Sequence, residues 1–160
     1  MKPIAIDDFC AVRSLASVTF SPEGTSACFT VSQAKKEKNC YESRLYLLKG
    51  GRVRALTGGG KESSFCYLDE ITVLFAGDRE EVKEPSLTSR FYKIALDGGE
   101  ADLAYTFPIP VSQVFPLKNG GLLVVGSTFP GFEDLYKGDR KLVKAYLDDK
   151  KENEDYEVIS

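Results

Sequence analysis

The sequence predicts an all-β chain built from a four-stranded antiparallel unit used more than once, and three observations carry that prediction. First, a phrase recurs. Arg44-Leu45-Tyr46-Leu47-Leu48-Lys49-Gly50-Gly51 is answered by Arg90-Phe91-Tyr92-Lys93-Ile94-Ala95-Leu96-Asp97-Gly98-Gly99, and each is followed by a second short run, Val53 to Thr57 and Asp102 to Thr106. The copies lie 46 residues apart at their arginines and 48 at their glycines, a period that marks a repeated supersecondary unit. Second, aromatic residues elsewhere keep the same spacing: Phe20 and Tyr67 are 47 apart, Phe29 and Phe75 are 46 apart. Third, turn chemistry separates the runs, with Ser21-Pro22-Glu23-Gly24 supplying a proline that fixes φ and a glycine that accepts φ > 0.

Taken in order, residues 1–16 precede the repeat, and Asp7 or Asp8 is placed to cap a short helix through Phe9, Cys10, Val12 and Arg13. The first unit covers 17–57. Val18 and Phe20 alternate with polar neighbours, Ala27 to Val31 is rich in β-formers, and a polar tip at Lys35 to Cys40 leads into strands Arg44–Lys49 and Arg52–Thr57 around Gly50-Gly51. Gly58-Gly59-Gly60 breaks the chain. The second unit, 63–107, repeats the order with strands at Phe65–Leu68, Ile71–Ala76, Arg90–Leu96 and Asp102–Phe107, and a polar loop at 77–89. A third, incomplete unit covers 112–160. It opens with Val114–Leu117 and Leu122–Val125 around Lys118–Gly121, and its Phe115 follows Tyr67 by 48 residues. Phe132, Leu135, Tyr136, Leu142, Val143, Tyr146 and Leu147 follow helical spacing, which predicts a helical insertion over 132–149. Tyr156 to Ile159 reads as the start of a further strand.

Four-stranded antiparallel units at this period read as β-propeller blades, about two and a half of them here, with the short helical insertion in the third. Propellers usually close with four to eight blades, so the chain is expected to be a piece of a longer polypeptide that exposes open blade faces and self-associates through them. The alternatives are a small β-sheet protein that completes itself by oligomerising, and a two-sheet sandwich in which the units pack face to face around one core.

The composition narrows the function classes. A formal net charge of −3 in 160 residues argues against nucleic acid. No apolar run approaches the roughly 20 residues that span a bilayer, and Asp7-Asp8 interrupts any signal-peptide core. Cys10, Cys28, Cys40 and Cys66 have no C-x-x-C spacing and read as reduced thiols of a cytoplasmic protein, with Cys28–Cys66 or Cys10–Cys40 bridges as the alternative. The chain has no histidine. A Ser-His-Asp triad cannot be assembled within it, nor a His-containing zinc site. No catalytic, cofactor-binding or metal-binding residue is therefore assigned.

Several residues resemble a known family. Ile6-Asp7-Asp8-Phe9 leads into Val18-Thr19-Phe20-Ser21-Pro22-Glu23-Gly24, then Ala27-Cys28-Phe29, then Leu45-Tyr46-Leu47-Leu48 with Gly50-Gly51 and Leu56-Thr57. This resembles the N-terminal propeller of the prolyl oligopeptidase family of serine peptidases, in particular its acylaminoacyl-peptidase and dipeptidyl-peptidase-like branch. Phe91 to Glu100 fits the same blade-closing pattern, and Glu23 stands where that family usually has Asp. The resemblance covers most of residues 5–126, and the blade pattern is shared with TolB-like propellers. It implies a parent peptidase whose propeller sits over an α/β-hydrolase domain with a Ser-Asp-His triad and filters the peptides that reach it. That catalytic domain is absent here: the chain has neither a G-x-S-x-G nucleophile elbow nor a histidine. For these residues the resemblance implies a gating or scaffolding role, with the catalytic domain as partner and the peptide as the parent's substrate.

Other features have plainer readings. Gly58-Gly59-Gly60-Lys61 is glycine-rich like a phosphate loop but lacks G-x-x-x-x-G-K-[ST], and reads as a turn between units. The neighbouring carboxylates Asp7-Asp8, Asp69-Glu70 and Asp148-Asp149 read as a cap, a turn and a loop, since adjacent strand residues point to opposite faces and cannot converge on a substrate. Phe20, Phe29, Phe65, Tyr67, Phe75, Phe91, Tyr92 and Phe115 read as packing between units. Lys35-Lys36-Glu37-Lys38 reads as a solvated hairpin tip, and 132–149 as a cap on a blade edge or a contact surface for a partner.

Overall fold

The computed structural model describes residues 6–79 and 88–127, together with positions 144, 145 and 148. The chain is all-β. The strands β1 (Arg13–Phe20), β2 (Ser26–Lys35), β3 (Cys40–Lys49) and β4 (Arg52–Ala55) form a first sheet in the order β1-β2-β3-β4. A second repeats that order with β5 (Phe65–Tyr67), β6 (Thr72–Ala76), β7 (Ser89–Ala95) and β8 (Asp102–Phe107), and β9 (Val111–Pro116) pairs with β10 (Leu122–Gly126) in a third. All neighbours within the sheets run antiparallel. A single helical turn and a half, α1 (Ile6–Cys10), precedes them.

Local chemistry explains the turns. Lys49 pairs with Arg52, so the β3–β4 loop is Gly50-Gly51, both at positive φ (57° and 73°). This is the two-residue geometry whose twist suits a hairpin and which a side chain would strain. At the β2–β3 tip, a 3₁₀ turn over Lys36–Lys38 ends on Asn39 in the left-handed region, which Asn tolerates better than most residues. The tip is solvated as expected, with Lys38 bonded to Glu42 at 2.8 Å.

The second sheet is covered on both faces. On one side, Phe65, Tyr67, Val73, Phe75, Tyr92 and Ile94 pack against Cys28, Leu45, Leu47 and Leu56 of the first sheet and its exit. On the other, Cys66, Leu74, Ala76 and Phe91 pack against Val114, with Leu122 and Val124 beside it. Strand alternation produces this division: Phe65↔Phe75↔Tyr92 share one face and Cys66↔Leu74 the other. A two-sheet sandwich, with one core and solvent behind each sheet, is excluded by the second core. Burial of each large aliphatic or aromatic side chain contributes about 1.5–3 kcal/mol, so both interfaces are substantial.

Four expectations are corrected. The first strand begins at Arg13, not Ser17, because a bulge between Ala16 and Thr19, with Ser17 at φ 56°, interrupts the alternation that marks it. Asp7 and Asp8 lie inside α1 and not before its first residue, where a cap would stand. Phe115 does not continue the register of Tyr67. Val114, 47 residues after Tyr67, is the one buried against the second sheet, while Phe115 points away and is 46% exposed. Val114 keeps the 47-residue step that separates Phe20 from Tyr67, so Phe115, one residue further, falls on the opposite face. Phe20 is likewise not packed between sheets, at 66% exposure. The predicted insertion 132–149 lies largely outside the described residues; Lys144, Ala145 and Asp148 within it are helical. Most of the loop 77–89 and the strand predicted at Tyr156–Ile159 also lie outside them.

Candidate functional site

The polar chemistry of the fold gathers at two places along the contact between the first and second sheets. The first is the turn Ser21-Pro22-Glu23-Gly24. Glu70, from the equivalent turn of the second sheet, reaches back to it. Its carboxylate accepts from Ser21 Oγ at 2.7 Å, from the Glu23 N–H at 3.0 Å and from the Thr25 hydroxyl. The Thr25 hydroxyl, then the Glu23 N–H and the Ser21 hydroxyl, hold the Glu70 carboxyl below the usual glutamate range. The network continues inward. Ser21 Oγ also accepts from Ser26 N–H at 3.2 Å, Ser26 Oγ lies 3.2 Å from the Tyr67 hydroxyl, and that hydroxyl donates to Cys28 Sγ at 3.2 Å. Asp69, beside Glu70, bonds its own turn at Ile71 N–H, 2.8 Å away. The two neighbouring carboxylates thus do separate structural work, as the sequence reading of a turn implied.

The second place is the glycine-rich exit of the first sheet. Residues 60–62 run beside β3, with Ser43 N–H donating to Gly60 O and Glu62 N–H to Ser43 O. This folds the Glu62 carboxylate back under its own loop, where it accepts from Gly59 N–H at 2.9 Å and Gly60 N–H at 2.7 Å and is 2% exposed. The amides that a phosphate would need are already occupied by an internal carboxylate. Gly58-Gly59-Gly60-Lys61 is therefore an anion cradle filled from within. Arg79 approaches Glu62 at 3.9 Å and lies over the rings of Phe75 and Tyr92, 5.2 and 5.5 Å from their centroids. Lys61 bonds Asp78 on the surface at 3.0 Å.

Between the β3–β4 hairpin and the β7 end of the second sheet lies an open groove of about 550 Å³. Leu47, Ile71, Ala95 and Leu96 give it an apolar floor, and Lys49, Arg52 and Arg54 outnumber Asp97 at its rim. Arg54 is committed to the Leu96 carbonyl. The groove has no nucleophile with a base beside it.

The two buried thiols are not activated. Burial pushes the Cys66 thiol up to about 11, and burial also raises Cys28, outweighing the Tyr67 hydrogen bond and the Arg54 charge. All four cysteines are free. Cys28 faces the first interface and Cys66 the second, so the two cannot bridge. Among the described residues no group of three or more Cys, Asp or Glu side chains could hold a metal ion, and no helix is long and apolar enough to cross a membrane. Asp148 is an exposed helical position, and Asp149 lies outside the described residues.

Glu62 and Glu70 were not singled out as sites by the sequence. A signal for Glu70 was present: it follows Glu23 by 47 residues, the spacing that also separates Phe20 from Tyr67.

No protein-family model matches the chain. It is similar to a protein of Bacillus subtilis (strain 168) named "Uncharacterized peptidase YuxL", with 30% identity over 129 residues and 78% of this chain covered. The chain spans 19% of that protein's length. An all-β stack of sheets, without a histidine, is thus a distant homologue of part of a much longer protein that is named as a peptidase.

Proposed function

We propose that this chain is a propeller segment of a prolyl-oligopeptidase-family serine peptidase, non-catalytic by itself, that scaffolds and gates a catalytic α/β-hydrolase domain. The parent hydrolyses peptide or acyl-peptide bonds through a serine supplied by that domain. The observation that carries the reading is the similarity to YuxL over 129 residues, a length that must run through the repeated sheets. The repeat itself supports the blade assignment: positions 46 or 47 residues apart take equivalent places in successive sheets, as Tyr46 and Tyr92 do. Free thiols support a cytoplasmic setting. The alternative, a TolB-like or other interaction module without a peptidase parent, is favoured by the apolar outer faces of the first and third sheets.

A fluorophosphonate probe, which labels activated serines, separates the two. An antibody raised against this chain should capture from the source cell a product heavier than 17.6 kDa that the probe labels. The recombinant 160-residue chain should stay unlabelled and should not turn over acyl-peptide or Xaa-Pro chromogenic substrates. An unlabelled native product would end the peptidase reading, and serine-reagent-sensitive turnover by the chain alone would end its non-catalytic part.

A further inference from the structure

The free edge of the first sheet carries an unbalanced cluster of charge. β4 is the last strand in the order β1-β2-β3-β4, so one side of it pairs with no strand among the described residues. The pairing decides which backbone groups point out. Leu56 N–H donates to Leu45 O, and stepping back in twos along the register makes Leu47↔Arg54 and Lys49↔Arg52 the hydrogen-bonded pairs. The N–H and C=O groups of Val53 and Ala55 therefore point away from β3, toward the open side. Val53 is 57% exposed, and Arg52, Arg54 and Ala55 are exposed with it.

Alternation sorts the side chains of this edge into two rows. Arg52 and Arg54 share the face of Lys49 and Leu47, the residues directly opposite them, and line the groove between the sheets, while Val53 and Ala55 belong to the other face. Lys49 stands directly across from Arg52, a like-charge pair that by itself destabilises a sheet. Among the described residues none of the three cations forms an ion pair. Arg54 donates to the neutral Leu96 carbonyl, and Asp97 lines the groove without pairing. Glu70 is already held by Thr25, Glu23 and Ser21, with Lys49 the least of the influences on it. Three positive charges thus line one side of the groove without a bonded counter-charge.

We propose that this edge binds an acidic segment of a partner protein, added as an extended strand beside β4. Main-chain hydrogen bonds to Val53 and Ala55 hold the segment, as when a peptide extends a sheet edge. A strand returns to the same face every two residues. Carboxylates at alternate positions therefore fall beside Arg52 and Arg54, and the apolar residues between them fall beside Val53. The chemistry that fits is a run about as long as β4 in which Asp or Glu alternates with Val, Ile or a similar side chain. Charge on an edge strand discourages pairing between identical edges, and the same charge selects a partner strand of opposite sign. The inference rests on the edge and its charges, not on the peptidase reading, and each can fail without the other.

The test is fluorescence anisotropy of a dye-labelled hexapeptide in which Glu alternates with Val, titrated with the 160-residue chain at low salt. Far-UV circular dichroism verifies the folding of each variant. The peptide should bind, binding should weaken as salt is raised, and a counterpart with Gln in place of Glu should bind about tenfold more weakly or worse. Arg52→Glu, at a side chain with no hydrogen bond among the described residues, should weaken binding by about tenfold or more, because a like-charge contact replaces an ion pair. Val53→Pro removes one outward N–H and keeps all three cations. An edge strand tolerates proline where its N–H faces solvent, and this variant should bind about fivefold more weakly, the loss of one hydrogen bond. No binding of the alternating peptide would overturn the proposal and leave the three charges as a guard on the edge. So would binding that Arg52→Glu or the Gln peptide leaves unchanged. Binding that Val53→Pro leaves unchanged would overturn it as well, since charge alone would then explain the contact.

Discussion

Replacing Glu62 by alanine tests whether a buried carboxylate holds the exit of the first sheet together. Glu62 Oε1 and Oε2 accept the Gly59 and Gly60 N–H groups at 2.9 and 2.7 Å, and the side chain is 2% exposed. A hydrogen bond to a charged group contributes about 1.5–3 kcal/mol. The Gly60 position is buried and its amide would lose its acceptor, while Gly59 is exposed enough for solvent to replace part of the loss. Arg79, at 3.9 Å, would lose its counter-charge but stays over Phe75 and Tyr92. Glu62→Ala should therefore destabilise the chain by about 2–4 kcal/mol, and Glu62→Gln, which keeps one acceptor, by about half as much. Urea unfolding reads this as a lower midpoint at unchanged slope. Amide exchange supplies the local readout, with protection lost first at Gly59 and Gly60. A Glu62→Ala cost below about 0.5 kcal/mol, within the range of ordinary surface substitutions, would refute the reasoning.

Two further outcomes follow from single groups. The Tyr92 hydroxyl is buried without a partner among the described residues; Tyr92→Phe should leave stability unchanged or raise it by about 1 kcal/mol in urea unfolding, and a loss of that size would show that the hydroxyl is bonded. Glu70 has a lowered carboxyl pKa in the folded chain, so its contribution is complete above the unfolded glutamate value of about 4.3 and disappears as pH falls through the lower folded value. Glu70→Gln should be less stable than wild type at pH 7, with the difference shrinking in acid; a difference that stays constant from pH 7 to about 3 would contradict the assigned bonds.

Much of the fold could be read from residues because strands and turns are written locally. Gly50-Gly51 specifies its hairpin by backbone freedom alone, and Phe65, Tyr67, Val73 and Phe75 specify a buried face by alternation. What the sequence hid depended on connections and distant partners. Ser17 and the bulge around it shift the parity of β1, so Leu15 and Val18 do not read as one strand. Phe115 matches Tyr67 by residue type, but Val114 holds the 47-residue step and takes the buried place. Glu62 and Glu70 bond to backbone and hydroxyl groups, and such contacts leave no periodic trace. Only the 47-residue step from Glu23 to Glu70 betrays one of them.

The central claim is that successive sheets stack through one repeated register, the second sheet being covered on both faces. Side-chain NOEs in the isotopically labelled chain test it most directly. The account predicts contacts from Tyr67 and Val73 to the first-sheet core at Cys28 and Leu47, and simultaneous contacts from Leu74 and Phe91 to Val114. Contacts on only one face, with Leu74 and Phe91 open to solvent, would contradict it.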